Sequence, residues 1–342
     1  MTTHEHELLD PIDLCTPDGL SLNRAALGWS RRPLHRANLR DRFGLNKRWD
    51  YWAVLAGDLV VALTYADIDH LGLAEMYWAD LNTHETGGRA VMVGAGEGIV
   101  LPEIPATAPL VAKHDGLDLR IDDDGRGTHF TARWTEPDGR PGRLQLLVEL
   151  PRGHESLNVV IAWSDELFNF TSKHQARPAS GEMTIGDRHW AIGGRDDAWG
   201  VLDVGRGRWP SKINGNWGGG AGRCGQHVVG LQFGAKWTEG SGFTENGVIV
   251  DGRLSKLGAE LVWDYDWEDP MRPWHVVDPG GQLDVTLTPR FDKYTNVDVS
   301  PELGTEVHQV FGTWSGRLLS DDGLALEFGD LQGFAEESRQ RW

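Results

Sequence analysis

The dipeptide Asp-Gly, repeated between short apolar stretches, is the feature that most constrains how this chain folds. It occurs at Asp18-Gly19, Asp115-Gly116, Asp124-Gly125, Asp138-Gly139, Asp251-Gly252 and Asp322-Gly323. This dipeptide supplies the positive φ angles that the tight turn of a β-hairpin requires. No long segment keeps the 3.6-residue apolar period of an amphipathic helix. The sequence therefore predicts a mainly β fold.

The apolar stretches around these turns indicate individual strands. Residues 248–250 and 253–257 flank Asp251-Gly252 and predict one hairpin, and residues 316–319 and 324–328 flank Asp322-Gly323 and predict another. Further strands are predicted at 144–150, 157–163 and 228–233.

Many short antiparallel strands favour sandwiches or closed barrels, because closure removes exposed sheet edges. An eight-stranded barrel with short loops takes roughly 120 to 180 residues, so this chain has room for two. The strand pattern is interrupted at residues 164–178, SDELFNFTSKHQARP. We expect a mobile tail at 1–20, a lipocalin-like β-barrel domain at 21–165, and a second one at 166–342 that carries the main polar cluster.

Charge and composition exclude several classes of function. The net charge of −18 is the opposite of the basic surface that nucleic acids require. No run of about 18 apolar residues is present, so no membrane span is predicted. The acidic N-terminus, MTTHEHELLDPIDL, lacks the apolar region of a secretory signal. Together with the two distant cysteines, Cys15 and Cys224, this favours a cytoplasmic protein with a small-molecule partner.

No cofactor or metal motif survives inspection. The glycine-rich residues 94–98 lack the third glycine of a dinucleotide fingerprint, and residues 218–222 lack the Lys-Ser/Thr of a phosphate loop. The thirteen histidines include no HExxH pair, and a Gly-x-Ser-x-Gly elbow is absent. We therefore expect neither a cofactor nor a metal.

The segment 199–217, WGVLDVGRGRWPSKINGNW, combines several polar groups with three of the sixteen tryptophans. Ligand pockets are mostly apolar and aromatic, with a few polar groups that orient the ligand. Asn216 is a further amide in this segment. The candidate ligand-binding residues come from this segment and from the neighbouring polar clusters. The set is Trp199, Arg206, Trp209, Asn214, Trp217, Asn246, Lys173 and His174.

Asp203 and Glu245 are the candidate catalytic residues. Asp203 shares a strand face with Trp199 and Val201, which predicts an interior position for its carboxyl group. Apolar surroundings raise a carboxyl pKa and allow general acid catalysis. Two carboxyl groups in unlike environments can perform acid and base steps at one pH.

Each candidate also has a purely structural interpretation. Asp203 and Arg206 would form a buried ion pair that fixes a bend in the chain. Glu245 would be a residue that hydrogen-bonds within a turn or caps it. Lys173 and His174 would form a surface pair, since Lys is mostly exposed. Glu336 would hold the last segment through an ion pair. The sequence leaves these alternatives open.

Motifs spaced along nearly the whole chain resemble the DUF2804 family, a domain of unknown function. The matching segments are Trp29-Ser30-Arg31-Arg32-Pro33, Lys47-Arg48-Trp49-Asp50-Tyr51-Trp52, Phe170-Thr171-Ser172-Lys173-His174, Pro178-Ala179-Ser180-Gly181, Leu202-Asp203-Val204-Gly205-Arg206-Gly207, Trp209-Pro210, Thr244-Glu245-Asn246, Val250-Asp251-Gly252-Arg253, Phe311-Gly312, Gly333-Phe334-Ala335-Glu336-Glu337 and Trp342.

In architecture the chain is more distantly similar to proteins built from two lipocalin-like barrels, among them carotenoid 1,2-hydratases, AttH-like proteins, tocopherol cyclases and some pericyclases. That similarity implies a cavity within or between two barrels that holds a mostly apolar ligand. It also implies acid–base or proton-initiated chemistry without a redox cofactor.

Three functions are compatible with these residues. The first is a cofactor-independent enzyme that protonates, hydrates, isomerises or cyclises an apolar substrate such as an isoprenoid, with Asp203 or Glu245 as the acid and tryptophans stabilising a developing cation. The second is a glycan hydrolase or lyase that uses the same two carboxylates, which would stand roughly 5 to 10 Å apart. The third is a non-catalytic carrier of a hydrophobic ligand.

Overall fold

The computed structural model describes residues 3–194 and 197–342, and it is nearly all β. Within these ranges one short 3-10 helix, Arg24–Ala26, accompanies the strands. One sheet forms a nearly closed barrel and the other a half-barrel, so the predicted mainly β fold with two barrel-like halves is confirmed. In the same ranges, no helix has the length and apolar character needed to cross a membrane.

The strands of the described residues come from all parts of the chain. They are β1 (Ile12–Asp13), β2 (Trp29–Ser30), β3 (His35–Arg36), β4 (Asn46–Ala56), β5 (Leu59–Asp67), β6 (Leu71–Asp80), β7 (Thr86–Gly94), β8 (Leu110–His114), β9 (Leu117–Asp123), β10 (Gly127–Thr135), β11 (Pro141–Glu149), β12 (Leu157–Ala162), β13 (Phe168–Ile185), β14 (Arg188–Ile192), β15 (Trp199–Arg208), β16 (Lys212–Cys224), β17 (His227–Ala235), β18 (Asn246–Val250), β19 (Arg253–Leu257), β20 (Val262–Asp264), β21 (Trp274–Val277), β22 (Leu283–Ser300), β23 (Leu303–Leu319) and β24 (Ala325–Arg341).

The first sheet runs in the order β7-β6-β5-β4-β15-β13-β11-β10-β9-β8, with β2, β12 and β14 attached beside β13. Alternate residues of these strands are apolar and fill the barrel interior. Glu136, which follows β10, links the two ends of the sheet. It accepts hydrogen bonds from the ring N–H of Trp78 at 2.8 Å and from the backbone N–H of Gly88 at 3.0 Å.

The second sheet runs in the order β19-β18-β17-β16-β24-β23-β22-β21-β20. Its inner face has its own apolar core, which includes Phe233, Trp274 and Trp314. Its outer face packs against the outer face of the first barrel through a third apolar cluster, to which Val201 and Trp217 belong. The candidate site lies in this layer between the two sheets.

The Asp-Gly turns behave as the sequence predicts in most places. Asp251 and Gly252 have φ angles of 51° and 81° and connect β18 to β19, as a two-residue hairpin turn requires. Asp322-Gly323 lies between β23 and β24, which pair with each other. Asp18-Gly19 is different, because it lies beside an isolated bridge and connects no pair of long strands.

The change of sheet does not coincide with the predicted domain boundary at 165/166. Strands β13 and β15 hydrogen-bond within the first sheet, so the second sheet begins only at Lys212. Within the predicted tail at 1–20, Leu14 is fully buried and Glu5 is nearly so. The Glu5 carboxylate lies 2.7 Å from the ammonium of Lys256 in β19, which ties this segment to the second sheet.

Candidate active site

Lys173 lies at the centre of a buried charged cluster between the two sheets. It is directly opposite Asp203 in the antiparallel register of β13 and β15, so both side chains leave the first sheet on the same face. Lys173 Nζ lies 2.8 Å from Asp203 Oδ1 and 3.2 Å from Oε2 of Glu245, which directly precedes β18. The ammonium therefore joins the two sheets through a carboxylate on each side.

Three donors surround the Asp203 carboxylate. Besides Lys173, the ring N–H of Trp49 donates to Oδ2 at 3.2 Å and the hydroxyl of Thr171 donates to Oδ1 at 3.3 Å. Thr171 precedes Lys173 by two residues on β13 and therefore shares its face. These contacts fix the orientation of Asp203 and make it the counter-ion of Lys173.

Glu245 is almost completely enclosed, with 1% of its surface exposed. The ring N–H of Trp237 donates to its Oε1 at 2.7 Å. Burial raises the pKa of Glu245 to about 7, an effect that the Lys173 ammonium counteracts and the negative charge of Asp203 reinforces. A Cβ built on Gly234 would lie 2.0 Å from Glu245 Oε1, so the carboxyl group can occupy this place only because residue 234 is a glycine.

A third carboxyl group, that of Glu336 in β24, belongs to the same cluster. Glu336 pairs with Trp217 of β16, and Lys173 Nζ lies 4.5 Å from the centroid of the Trp217 ring. Gln309 Nε2 donates to Glu336 Oε2 at 2.9 Å, and the hydroxyl of Tyr51 donates to Gln309 Oε1 at 3.2 Å. Glu336 is half-buried, in contrast to Glu245.

Lys173 forms ion pairs with Asp203 and Glu245, and it acts on Glu336 through its charge. Burial raises the pKa of Glu336 to about 7, while the charge of Lys173 lowers it and that of Asp203 raises it. The charge of Lys293 also lowers the pKa of Glu336. Because the pKa values of Glu245 and Glu336 are about 7, these two carboxyl groups keep part of their protons at neutral pH.

Tryptophans form a wall beside the carboxyl groups. The Trp209 ring lies at the centre, and its centroid is 5.0 to 5.9 Å from those of its neighbours, which are Trp49, Trp163, Trp237 and Trp342. Trp49 and Trp237 are also the donors to Asp203 and Glu245. The same rings therefore provide an apolar surface and hold the carboxyl groups in place.

Arg206 lies outside this cluster, and the alternative of an Asp203–Arg206 ion pair is wrong. Residues three apart on a strand leave it on opposite faces, so Arg206 enters the first barrel. There it donates to Asp50 Oδ1 and to the carbonyl oxygen of Trp49, both at 2.6 Å. The charge and hydrogen bonds of Arg206 therefore stabilise the interior of the first barrel.

His174 and Trp199 also lie away from Lys173. His174 leaves β13 on the face opposite to Lys173, where its Nε2 lies 3.0 Å from the hydroxyl of Ser172, and burial lowers its pKa well below the ordinary value. The alternative of a Lys173–His174 surface pair is therefore wrong. Trp199 lines a separate open cleft of about 710 Å³ together with Asp197 and Arg223.

The three asparagines have different surroundings. Asn246 is fully buried, where its Oδ1 accepts from the backbone of Gly234 at 2.8 Å and its Nδ2 donates to the carbonyl oxygen of Ala259 at 3.1 Å. Asn216 is buried on the inner face of the second sheet, and Asn214 is exposed on that face. The cluster thus brings together Lys173, Asp203, Glu245, Trp209 and Trp217 of the candidate residues.

Sequence reasoning missed several groups of the site. Glu336 was interpreted only as a clamp, and the roles of Gln309, Tyr51 and Trp237 were not predicted. A signal for Glu336 exists, because alternation along β24 places it on the same face as Phe334, which packs in the layer between the sheets.

Comparison with known proteins agrees with the motifs. The family model described as Domain of unknown function (DUF2804) matches residues 5–342. The chain belongs to the DUF2804 family. No curated protein matches it.

Solved structures with a similar fold exist at low sequence identity. An AttH protein from Nitrosomonas europaea is 11% identical with a TM-score of 0.51, and the match covers 87% of this chain and 93% of that one. Kievitone hydratase from Nectria haematococca is 11% identical with a TM-score of 0.46, covering 88% and 90%. CghA with Sch210972 is 10% identical with a TM-score of 0.44, covering 87% and 89%. The similarity to the AttH structure shows that this chain and the AttH protein share a fold.

Proposed function

We propose that this DUF2804 protein is a cofactor-independent acid–base enzyme that acts on a small, largely apolar organic ligand by hydration, isomerisation or cyclisation. The observation that carries the proposal is the presence of two carboxyl groups beside the ammonium of Lys173, the enclosed Glu245 and the half-buried Glu336, each with a pKa of about 7. A general acid works best when its pKa is near the operating pH.

Glu336 is the group that meets the ligand in this proposal. Its surface is partly accessible, whereas Glu245 is enclosed between Lys173 and Trp237. Only Oε2 of Glu336 takes part in a hydrogen bond with the described residues, from Gln309, so Oε1 can carry and donate a proton. Glu245 and Asp203 then set the electrostatic field around Lys173 and Glu336.

The proposed reaction begins with transfer of the Glu336 proton to a double bond or a carbonyl oxygen of the ligand. Positive charge develops on the ligand, and the carboxylate that Glu336 becomes on losing its proton stabilises that charge. The Glu336 carboxylate then takes a proton from an attacking water in hydration, or from a neighbouring carbon in isomerisation or cyclisation. Either step restores the protonated Glu336 without a cofactor.

The tryptophan wall favours a ligand with a large apolar surface. Trp209 and Trp237 stack with centroids 5.2 Å apart and are each less than a tenth exposed. Flat aromatic surfaces contribute strongly to binding through buried area. Trp49 and Trp163 are half-buried and would be the first rings that an entering ligand contacts.

A binding role without catalysis is the second candidate. Asp203 and Glu245 are both tied to Lys173 rather than free to meet a ligand, at 2.8 and 3.2 Å. Such pairing suits a carrier whose buried charges only join the two sheets.

An isotope experiment separates the two candidates. Native mass spectrometry of the purified protein identifies a bound ligand, or a panel of isoprenoid and other unsaturated probes is screened when none co-purifies. The ligand is then incubated with the protein in D₂O, and conversion or carbon-bound deuterium is measured. We expect both with the wild type and a loss of about 100-fold or more in Glu336→Gln.

The control for this experiment is Glu149→Gln, since Glu149 is exposed on β11 and its carboxylate makes no hydrogen bond or ion pair within the described residues. It should leave conversion unchanged. Ligand recovered unconverted and unlabelled from the wild type would establish the carrier role. Equal rates for the wild type and Glu336→Gln would exclude Glu336 as the acid.

A further inference from the structure

Lys293 in β22 is a half-buried cation on the same face of the second sheet as Glu336. The register pairs it with Gln309 of β23, which in turn pairs with Glu336 of β24, and residues paired across antiparallel strands lie side by side on one face. Neighbouring strands are about 4.8 Å apart, so roughly 10 Å separates the backbones of Lys293 and Glu336. Both side chains therefore face the layer between the two sheets.

The ammonium of Lys293 lies against an aromatic ring and has no oxygen partner in the described part of the chain. Its Nζ is 4.0 Å from the ring centroid of Tyr77 in β6 of the first sheet. Within residues 3–194 and 197–342 this ammonium forms no hydrogen bond and no ion pair. The cation–π contact holds the ammonium over the ring, and its N–H donors remain for an acceptor on a ligand.

The other lysines that are buried or half-buried are in a different state. Each has an oxygen atom of the protein at 2.6 to 2.9 Å from its ammonium, and they are Lys47, Lys173, Lys236 and Lys256. The chain has 51 acidic and only 33 basic side chains, so carboxylate partners are plentiful. A cation such as Lys293, partly removed from water and without such a partner, favours the binding of an anion.

The layer between the sheets is open beside Lys293 and Glu336. On one side of these residues, Phe311 and Phe334 are buried and close the layer. On the other side, the residues of both sheets that face the layer are only half-buried, and they are Thr64, Glu75, Thr295, Val307 and Ser338. Glu75 is the acidic member of this set, and its Oε2 accepts a hydrogen bond from Thr64 rather than from Lys293. A ligand that enters from this side meets both Lys293 and Glu336.

Lys293 and the tryptophan wall lie on opposite sides of Glu336. Across the second sheet the strands follow the order β22, β23, β24, β16 and β17, with Lys293 on the first of these and Glu336 on the third. Trp237 of the wall comes just after the end of β17. A ligand that contacts both Lys293 and the wall therefore passes Glu336, with a charged group at one end and an apolar body at the other.

We propose that the ligand of the acid–base site is an apolar, unsaturated carboxylic acid whose carboxylate binds Lys293. Its body extends past Glu336 toward the tryptophan wall, so the double bond or carbonyl that receives the proton lies several carbon atoms from the carboxylate. A single negative charge suits this site better than a diphosphate, because the chain has a net charge of −18. The contact with Lys293 is independent of catalysis, whereas the position of the reacting group rests on the proposed function of Glu336.

Binding of the carboxylate also favours the protonated form of Glu336. In the free protein the charge of Lys293 lowers the pKa of Glu336. A carboxylate bound to Lys293 offsets that charge, so the pKa of Glu336 rises when the ligand is in place. The acid therefore keeps its proton until the ligand is there to receive it.

The test compares carboxylic acids with their methyl esters, which keep the apolar body but lack the charge. Geranic, farnesoic, retinoic and parinaric acids are each titrated calorimetrically into the full chain beside the matching ester. We expect at least one acid to bind about tenfold or more tightly than its ester, as a charged hydrogen bond predicts. This preference should disappear in Lys293→Met, because methionine keeps an apolar chain without the charge.

Lys293→Arg and Lys113→Met are the matched controls. The first keeps the positive charge and should keep the preference for the acid. The second removes an equal charge from an exposed lysine of β8 in the first sheet and should bind like the wild type. An equal loss of the preference in Lys113→Met would show that overall charge decides, and it would overturn the proposal.

The proposal is also overturned if no acid binds more tightly than its ester, or if the preference persists in Lys293→Met. Glu336→Gln should keep the preference while it loses conversion, so the two proposals can fail separately. A preference for acids without any conversion would leave Lys293 as the carboxylate-binding residue and remove the acid–base role. Conversion of neutral ligands without a preference for acids would do the reverse.

Discussion

Replacing Glu245 by glutamine should change the pH dependence of stability in a defined direction. In the folded protein the pKa of Glu245 is about 7, compared with an ordinary value of 4.5. Between these two values the unfolded chain loses the proton while the folded chain keeps it. The folded wild type is therefore most favoured below pH 4.5 and loses stability as the pH rises to about 7.

The magnitude follows from the two pKa values. A difference of about 2.5 pH units corresponds to about 3 kcal/mol, at about 1.4 kcal/mol per unit. Glutamine does not titrate, so Glu245→Gln lacks this term. The free energy of unfolding of the wild type, relative to that of Glu245→Gln, should thus fall by about 3 kcal/mol between pH 4.5 and pH 8.

Urea unfolding at closely spaced pH values measures this difference, because the many surface carboxylates titrate alike in both proteins and cancel. Glu149→Gln provides the reference for loss of an exposed carboxylate in the same fold. A difference between the wild type and Glu245→Gln that stays constant with pH, or that grows in favour of the wild type as the pH rises, would refute the reasoning.

Three further predictions concern the same layer. Lys173→Met leaves buried carboxyl groups without their cation and should lower the free energy of unfolding by about 3 to 5 kcal/mol at pH 8. Chemical denaturation should show a smaller loss at pH 5, where Glu245 is protonated. An equal loss at pH 8 and pH 5 would contradict this prediction. Trp237→Phe keeps a ring but removes the 2.7 Å donor to Glu245 and should cost about 1 to 3 kcal/mol by urea unfolding, whereas no loss would show that the bond is unimportant. Arg206→Met breaks the buried ion pair with Asp50 and should lower the free energy of unfolding by about 3 to 5 kcal/mol, as measured by thermal or urea unfolding. Ligand conversion per folded molecule should stay unchanged. Reduced conversion would give Arg206 a role in the site.

The strands and hairpins follow from local sequence, which is why they could be predicted. Asp251-Gly252 demands a two-residue turn by its backbone preferences alone, and residues 157–163 and 228–233 lie in β12 and β17 with small differences at the ends. The order of strands in the sheets involves pairs far apart in sequence. Nothing local indicates that β4 pairs with β15 or that β16 pairs with β24.

The site was predicted only in part for the same reason. Asp203 and Glu245 were recognised by their residue types and surroundings, but the partner of Asp203 is set by the register between β13 and β15, which selects Lys173. Strand alternation already separates Asp203 from Arg206, and applying it would have rejected that pair. Glu336 reaches the cluster through the packing of two sheets, which no single segment encodes.

The pH dependence of deuterium incorporation into the bound ligand tests the central claim most directly. Because Glu336 must hold its proton in order to act as the acid, the rate should be high below pH 7 and fall as the pH rises through about 7. Glu336→Gln should lower this exchange about 100-fold or more below pH 7. A rate that does not change across this range, or a Glu336→Gln variant that keeps the wild-type profile, would contradict the acid–base role of the cluster around Lys173.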